Sequence, residues 1–165
     1  MTDDAVKRTL EKLTAAENRG KEQVRKGAQI ENIKNTQNTK ASLLWKALMR
    51  WTEKHCADTN SEKGTKILEF NEDGANRFLV VLNKDPRKVI LTVEFEPRNF
   101  EVSYIRDFGG LANTGDENLL GGKRMQYFHS KIDGEDFSFI HQGMNMTVDQ
   151  LGETLIQFLL GALLV

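Results

Sequence analysis

The pattern of apolar and polar positions along the chain changes near residue 41. Residues 1–40 are polar and charged, and their few apolar side chains recur at helical spacing, which predicts a helix over 3–34. An uncharged polar stretch over 35–40 is expected to form a hinge. Residues 41–165 hold enough apolar positions for a core. We therefore expect two parts, a charged helical arm with its hinge over 1–40 and an α+β domain over 41–165.

The segment after the hinge predicts a helix, a series of strands and a second helix. Apolar residues recur with a helical period over 41–57, and Thr147 is placed to cap a final apolar helix over 147–163. Between them, runs of alternating or wholly apolar residues are separated by turn residues. The predicted strands are 67–71, 77–83, 88–96, 100–108, 124–132 and 137–142. The sequence thus predicts an antiparallel meander of about six strands covered on one face by two helices.

Turn positions between the strands predict a register that keeps apolar residues on one face of the sheet. The expected cross-strand pairs are Phe70 with Phe78, Leu82 with Val89, and Phe95 with Phe100. We expect the other face to lie in water, because its residues are mostly charged or polar. Those residues are Lys88, Thr92, Glu94, Glu96, Glu101 and Ser103.

Charge is distributed unevenly between the two parts. The chain of 165 residues has a net charge of −1, whereas residues 1–40 hold nine Lys and Arg against six Asp and Glu, which leaves +3 there and −4 in the rest. The arm has no aromatic residue with which to stack bases, so we expect no strong nucleic-acid binding. The uncharged stretch 154–165 is too short to span a bilayer, and no apolar segment near Met1 predicts a secretion signal. With the single Cys56, these features favour the cytoplasm.

Candidate chemistry is sparse. His129 and His141 fall on the last hairpin, but a two- or four-residue loop pairs His129 with Ile140 and places the two imidazoles on opposite faces, so we expect no metal site. Cys56 follows His55 directly on a helix, where neighbouring residues do not face each other, so a nucleophile pair is not expected. The long glycine-rich loop 109–123 is the place where a pocket between sheet and helices is most expected. Its candidate ligand-binding residues are Tyr104, Arg106, Tyr127, His129 and His141.

The absence of a catalytic, cofactor or metal motif favours a protein-binding function. The leading interpretation is a non-catalytic interaction module, homodimeric, that binds another polypeptide through the arm and apolar helix surfaces; the expected contact residues are Val6, Leu10, Leu13 and Val24. The alternatives are a small-molecule-binding protein or enzyme with the pocket described above, and an RNA-binding accessory protein that uses the basic arm. The layout of helix, meander and helix resembles small secretion-chaperone and immunity-type folds, a likeness that assigns no residue a role.

Overall fold

The first element is one very long helix. In the computed structural model, which describes residues 2–84, 87–107 and 123–161, α1 runs over Thr2–Lys63. Its 62 residues extend about 93 Å at 1.5 Å per residue. Gly64 ends it at φ +73°, a conformation that favours glycine, and donates its N–H to the carbonyl oxygen of Asn60.

The helix continues without a break through residues 35–40, the segment for which the sequence predicts a hinge. Thr36 and Thr39 donate their hydroxyls to the carbonyl oxygens four residues before them, at 2.9 Å each. Because these hydroxyls are already hydrogen-bonded, they do not compete with the backbone hydrogen bonds of the helix. The boundary between the arm and the α+β domain predicted over 41–165, which we call the body, stays a prediction. Exposure nevertheless changes sharply along this stretch.

Seven antiparallel strands follow in chain order and form one sheet of order β1-β2-β3-β4-β5-β6-β7 that curls into a half-barrel. The α+β class and the meander are confirmed, but the sheet has seven strands instead of six. The strand missing from the prediction is β7, which has three residues and therefore no readable alternation. The strands are β1 Leu68–Glu72, β2 Arg77–Lys84, β3 Arg87–Glu96, β4 Glu101–Asp107, β5 Lys123–Asp133, β6 Asp136–His141 and β7 Met144–Met146.

The predicted register is right in two hairpins and shifted in two. Leu82 pairs with Val89, and His129 pairs with Ile140, as expected. Phe70 pairs with Val80 instead of Phe78, and Phe95 with Val102 instead of Phe100. Both shifts are of two residues, so the same side chains stay on the same face.

One face of the sheet, the covered face, packs against the second half of α1 and against α2 (Val148–Leu160). Trp45 of α1 is the largest side chain in this core, and its indole N–H donates to the carbonyl oxygen of Ala75 at 2.8 Å. Helix α2 begins with the predicted cap, a capping box between Thr147 and Gln150. It approaches α1 at Gly152, where a Cβ would overlap the ring of Trp51. Glycine is therefore required at that crossing.

The opposite face of the sheet, the open face, has no helix packed on it in the described part of the chain. The polar residues predicted for it are there, and Glu94 and Glu96 are exposed. It also carries an apolar row that crosses four strands and that the prediction did not include. In this row Leu79 pairs with Thr92, Thr92 with Ile105, and Ile105 with Met125.

Candidate protein-docking surface

The arm, defined from here on as residues 3–32 of α1, forms no side-chain hydrogen bond or ion pair with any other element of the described structure. Every residue from Asp3 to Asn32 is exposed. The four apolar residues predicted to contact a partner, which we call the seam, are 55–74% exposed: Val6, Leu10, Leu13 and Val24. An isolated helix with so few apolar residues is marginal in water, because helix formation has a costly nucleus and little packing repays it. The arm thus presents an unpartnered helical surface.

The seam lies on one side of α1 and is in line with Ser42, beyond the arm. Val6, Val24 and Ser42 are successively 18 residues apart, which is about five turns at 3.6 residues per turn, so they stand on one line along α1. Gly20 and Gly27 lie on the same side, and a Cβ at either would meet no atom within 4 Å. Each glycine costs a helix interior about 1 kcal/mol relative to alanine. Glycines at these positions leave a smooth path for a close neighbour.

The base of the arm is fixed to the body by side chains of α1 that reach the turn between β5 and β6. Gln37 donates its amide to the carbonyl oxygen of Gly134 at 2.7 Å, and Lys40 donates its ammonium to that of Glu135 at 2.6 Å. Lys40 also lies 3.8 Å from the carboxylate of Asp136. These contacts set the direction in which the arm leaves the body.

At the end of the seam, α1 and two turns of the sheet enclose a groove of about 510 Å³, which we call the junction groove. Its apolar floor is Phe95, Pro97 and Phe100, and its rim carries the cations Lys34 and Arg98. Neither cation forms an ion pair with any described carboxylate. Three uncharged polar residues complete the lining: Asn38, Ser42 and Asn76.

Phe100 has an unusual backbone at the junction groove. It ends the four-residue turn between β3 and β4 at φ +50°, a left-handed conformation that is rare for a bulky residue. Holding such a residue costs on the order of 1–3 kcal/mol, which the surrounding packing must offset. Its ring is held edge-on against Phe137 with centroids 5.4 Å apart. The groove floor is thereby fixed in place.

Of the five residues predicted to line a ligand pocket, three lie on the covered face. Tyr104 is fully buried, and its hydroxyl donates to the side-chain carbonyl of Gln126 at 3.0 Å. Burial raises the pKa of Tyr104 to about 12. His141 packs its ring edge-on against Phe128 at 5.5 Å. Tyr104 thus belongs to the core, and His141 lies against it.

Arg106, the third of these residues, closes the end of α2. Its guanidinium donates to the carbonyl oxygen of Phe158 at 2.6 Å and lies 4.7 Å above that ring. A cation beside the last carbonyl groups of a helix is favourable, because they carry its negative partial charge. Desolvation, with repulsion from Arg124 as a second cause, lowers the pKa of Arg106. Arg106 thus holds the end of α2 against the sheet.

The other two predicted pocket residues, Tyr127 and His129, lie on the open face. His129 Nδ1 stands 3.0 Å from a carboxylate oxygen of Glu101, which pairs across the strands with Glu96. The structure therefore divides the five residues between two faces. Most of the predicted loop 109–123, under which the pocket was expected, lies outside the described residues.

Cys56 and the remaining histidine, His55, lie on the second half of α1. Cys56 is buried, and burial raises the pKa of its thiol to about 11. The ring of His55 stacks on Trp51 with centroids 4.8 Å apart. In the residues that the structure describes, no group of three His, Cys, Asp or Glu side chains is arranged to hold a metal ion.

Sequence reasoning found the seam but missed the junction groove. Lys34 is the last residue of the predicted arm helix, and the predicted pairing of Phe95 with Phe100 implies a two-residue turn that contains Arg98. A Pro-Arg-Asn-Phe stretch between two strands is consistent with a four-residue turn, which would have brought Phe100 out of the strand. The approach of this turn to α1 depends on tertiary packing and has no local signal.

Comparison with models of known protein families, with curated proteins and with solved structures finds no match to this chain. Within the described ranges, no helix is both long enough and apolar enough to cross a bilayer. The proposals that follow therefore stand on the geometry of the arm and the junction groove.

Proposed function

We propose that this protein is a non-catalytic interaction module, which binds another polypeptide chain along the seam of its arm. The observation that supports this most directly is the exposure of Val6, Leu10, Leu13 and Val24 on the arm, where every residue from Asp3 to Asn32 is exposed. The single buried cysteine fits a reducing compartment, and we propose the cytoplasm as its location.

Energetics favour a bound arm over a free one. Fully burying a side chain of this size contributes about 1.5–3 kcal/mol, so covering the four seam residues contributes several kcal/mol. A free arm gains none of this and still holds two glycines in its interior. The arm is thus a segment whose helix becomes stable when a partner covers it, which is the behaviour of a recognition element.

The body supports this function by positioning the arm. Its core is closed by α1 and α2, and the bonds from Gln37 and Lys40 to the turn between β5 and β6 hold the base of the arm at a defined angle. The junction groove adds apolar and cationic groups at that base. A partner that lies along the seam would also reach these groups.

The test is capture of partner chains from cell lysate by the full-length protein and two full-length variants. In the seam variant, Leu10, Leu13 and Val24 become Gln, which removes apolar surface but keeps helix propensity. The matched control replaces three exposed residues of the opposite side of the arm by Gln: Glu11, Lys12 and Glu22.

We expect the wild-type protein and the control to capture the same polypeptides, with a second copy of this chain counted among them. We expect the seam variant to lose them. Light scattering on the same samples reports whether the retained chain is a second copy. Equal capture by all three proteins would contradict the proposal, because binding would then not depend on the seam.

A further inference from the structure

The chemistry of the seam restricts which helix can lie on it. Along the arm the seam presents two bulky residues, Leu10 and Leu13, and further on two positions without a side chain, Gly20 and Gly27. A neighbouring helix fits best when its own bulky residues meet the glycines and its small residues meet the leucines. In an antiparallel register the arm itself offers one such pair, Leu10 opposite Gly27, beside an apolar pair, Leu13 opposite Val24.

We propose that the seam is covered by the arm of a second copy of this chain, in antiparallel orientation, with Leu13 of one copy against Val24 of the other. This inference rests on the proposed function, since it names the chain that the arm binds. In the same register Leu10 meets Gly27 of the second copy, and Val6 lies beside the methylene groups of Glu31. A two-fold axis passes between Asn18 and Arg19, which makes the interface the same surface on both copies.

A parallel pairing of two arms is disfavoured by charge. It would bring Glu17 against Glu17 and Glu31 against Glu31 of the second copy, because equal positions meet across a parallel two-fold axis. Like charges in such contacts are destabilising. The antiparallel register places Glu17 against Gly20, where no side chain prevents the carboxylate from turning into water.

The charged ends of the arm select the same register independently. Helix α1 has Asp3 and Asp4 in its first turn, and the junction groove has the cations Lys34 and Arg98 on its rim. When Leu13 meets Val24, Asp3 lies beside Lys34 of the second copy. The acidic first turn of each arm thus reaches the junction groove of the other copy, where no described carboxylate pairs with either cation.

Engineered cysteines test the orientation in the full chain. A sample of Leu13→Cys is mixed with a mass-distinguishable sample of Val24→Cys, and each is also oxidised alone. The native Cys56 is buried, with a thiol pKa raised to about 11, so it does not compete for disulfide formation. We expect the mixture to give a cross-linked heterodimer and neither variant to cross-link with itself.

The matched control is the pair Ala15→Cys and Glu22→Cys, which lies about 3 Å from the same heights along the helix but on its other side. No cross-link is expected there. Self-cross-linking of Leu13→Cys alone would overturn the proposal in favour of a parallel pair. Absence of any cross-link, together with a strict monomer by light scattering, would also overturn the antiparallel dimer. The proposed function would be decided separately, by whether the seam captures another polypeptide.

Charge exchange tests the register. In the proposed register Asp3 of each copy lies beside Lys34 of the other, so each dimer contains two such pairs. Asp3→Lys alone or Lys34→Glu alone makes both pairs repulsive, and we expect either variant to weaken dimerisation about tenfold at low salt. The double variant restores both pairs and should recover wild-type affinity. Failure of the double variant to recover, with both single variants still folded, would overturn the register.

Discussion

Two halves of one helix have opposite relations to the rest of the molecule. Residues 41–56 of α1 bury Trp45, Leu48 and Cys56 against the sheet, whereas every residue from Asp3 to Asn32 is exposed. Both halves have the same backbone, so helix geometry alone does not separate them. Packing of an apolar face supplies most of the stability of a helix in a protein. We therefore expect the buried half to be stabilised by the sheet and the arm to depend on a partner.

The largest effect is expected from truncating the buried half. Trp45→Ala removes an indole from the core and leaves the carbonyl of Ala75 without its donor, so we expect the free energy of unfolding to fall by about 3–5 kcal/mol. Leu13→Ala in the exposed half should change it by no more than about 0.5 kcal/mol in the monomer. Urea unfolding at low protein concentration measures both, and equal losses would contradict the comparison.

A glycine substitution should have opposite signs in the two regions. Gly152→Ala places a methyl group against Trp51 and should cost about 1–3 kcal/mol, whereas Gly20→Ala lies in open space and should raise the helicity of the monomeric arm. Circular dichroism and thermal unfolding check both. The cost at Gly152 should shrink when Trp51 is also changed to Leu, and an unchanged cost would show that the ring is not its cause.

The sequence predicted the faces of the sheet better than its register. Alternation identifies which side chains share a face, and a shift of two residues leaves that assignment unchanged. Phe95 therefore stays on the covered face although it pairs with Val102. The shift arises at Phe100, whose left-handed backbone extends the turn to four residues. A sequence pattern contains no signal for such a conformation at phenylalanine.

The candidate site was predictable only where it consists of local helix spacing. The seam follows from periodicity alone, whereas the junction groove needs two distant turns to approach α1. The predicted pocket residues were chosen by chemical type, and the strand register then divided them: Tyr104 faces the core and Tyr127 faces outward. Arg106 illustrates the same limit, because its carbonyl partner in Phe158 is far along the chain.

A smaller effect is expected from alkaline pH on the buried half. Because the pKa of Tyr104 is raised by burial from 10.0 to about 12, the folded chain keeps the phenol proton at pH values where the unfolded chain loses it. This contribution to stability is complete below about pH 10 and is lost as pH rises toward 12. Unfolding midpoints between pH 9 and 12 measure it.

Tyr104→Phe should flatten part of that pH dependence, while Tyr127→Phe, which removes an exposed tyrosine, should leave it unchanged. An equal flattening by both variants would show that Tyr104 is not the responsible group. Tyr104→Phe should also lower stability by about 1 kcal/mol at neutral pH through loss of the bond to Gln126.

The smallest effect concerns reactivity. Burial and a pKa of about 11 should make Cys56 unreactive toward a thiol reagent at pH 8 in the folded chain, and reactive once the chain unfolds. A cysteine placed in the arm at Leu13 should react in the monomer at the rate of an exposed thiol. Rapid labelling of Cys56 in native protein would contradict the packing of the buried half.

Hydrogen exchange measured against protein concentration tests the central claim most directly. The claim is that residues 41–56 are stabilised by their own body and the arm by a second chain. We predict that amides of residues 41–56 are protected at every concentration, and that those of residues 5–30 become protected only as dimers form. Strong protection of the arm in a verified monomer would contradict this account.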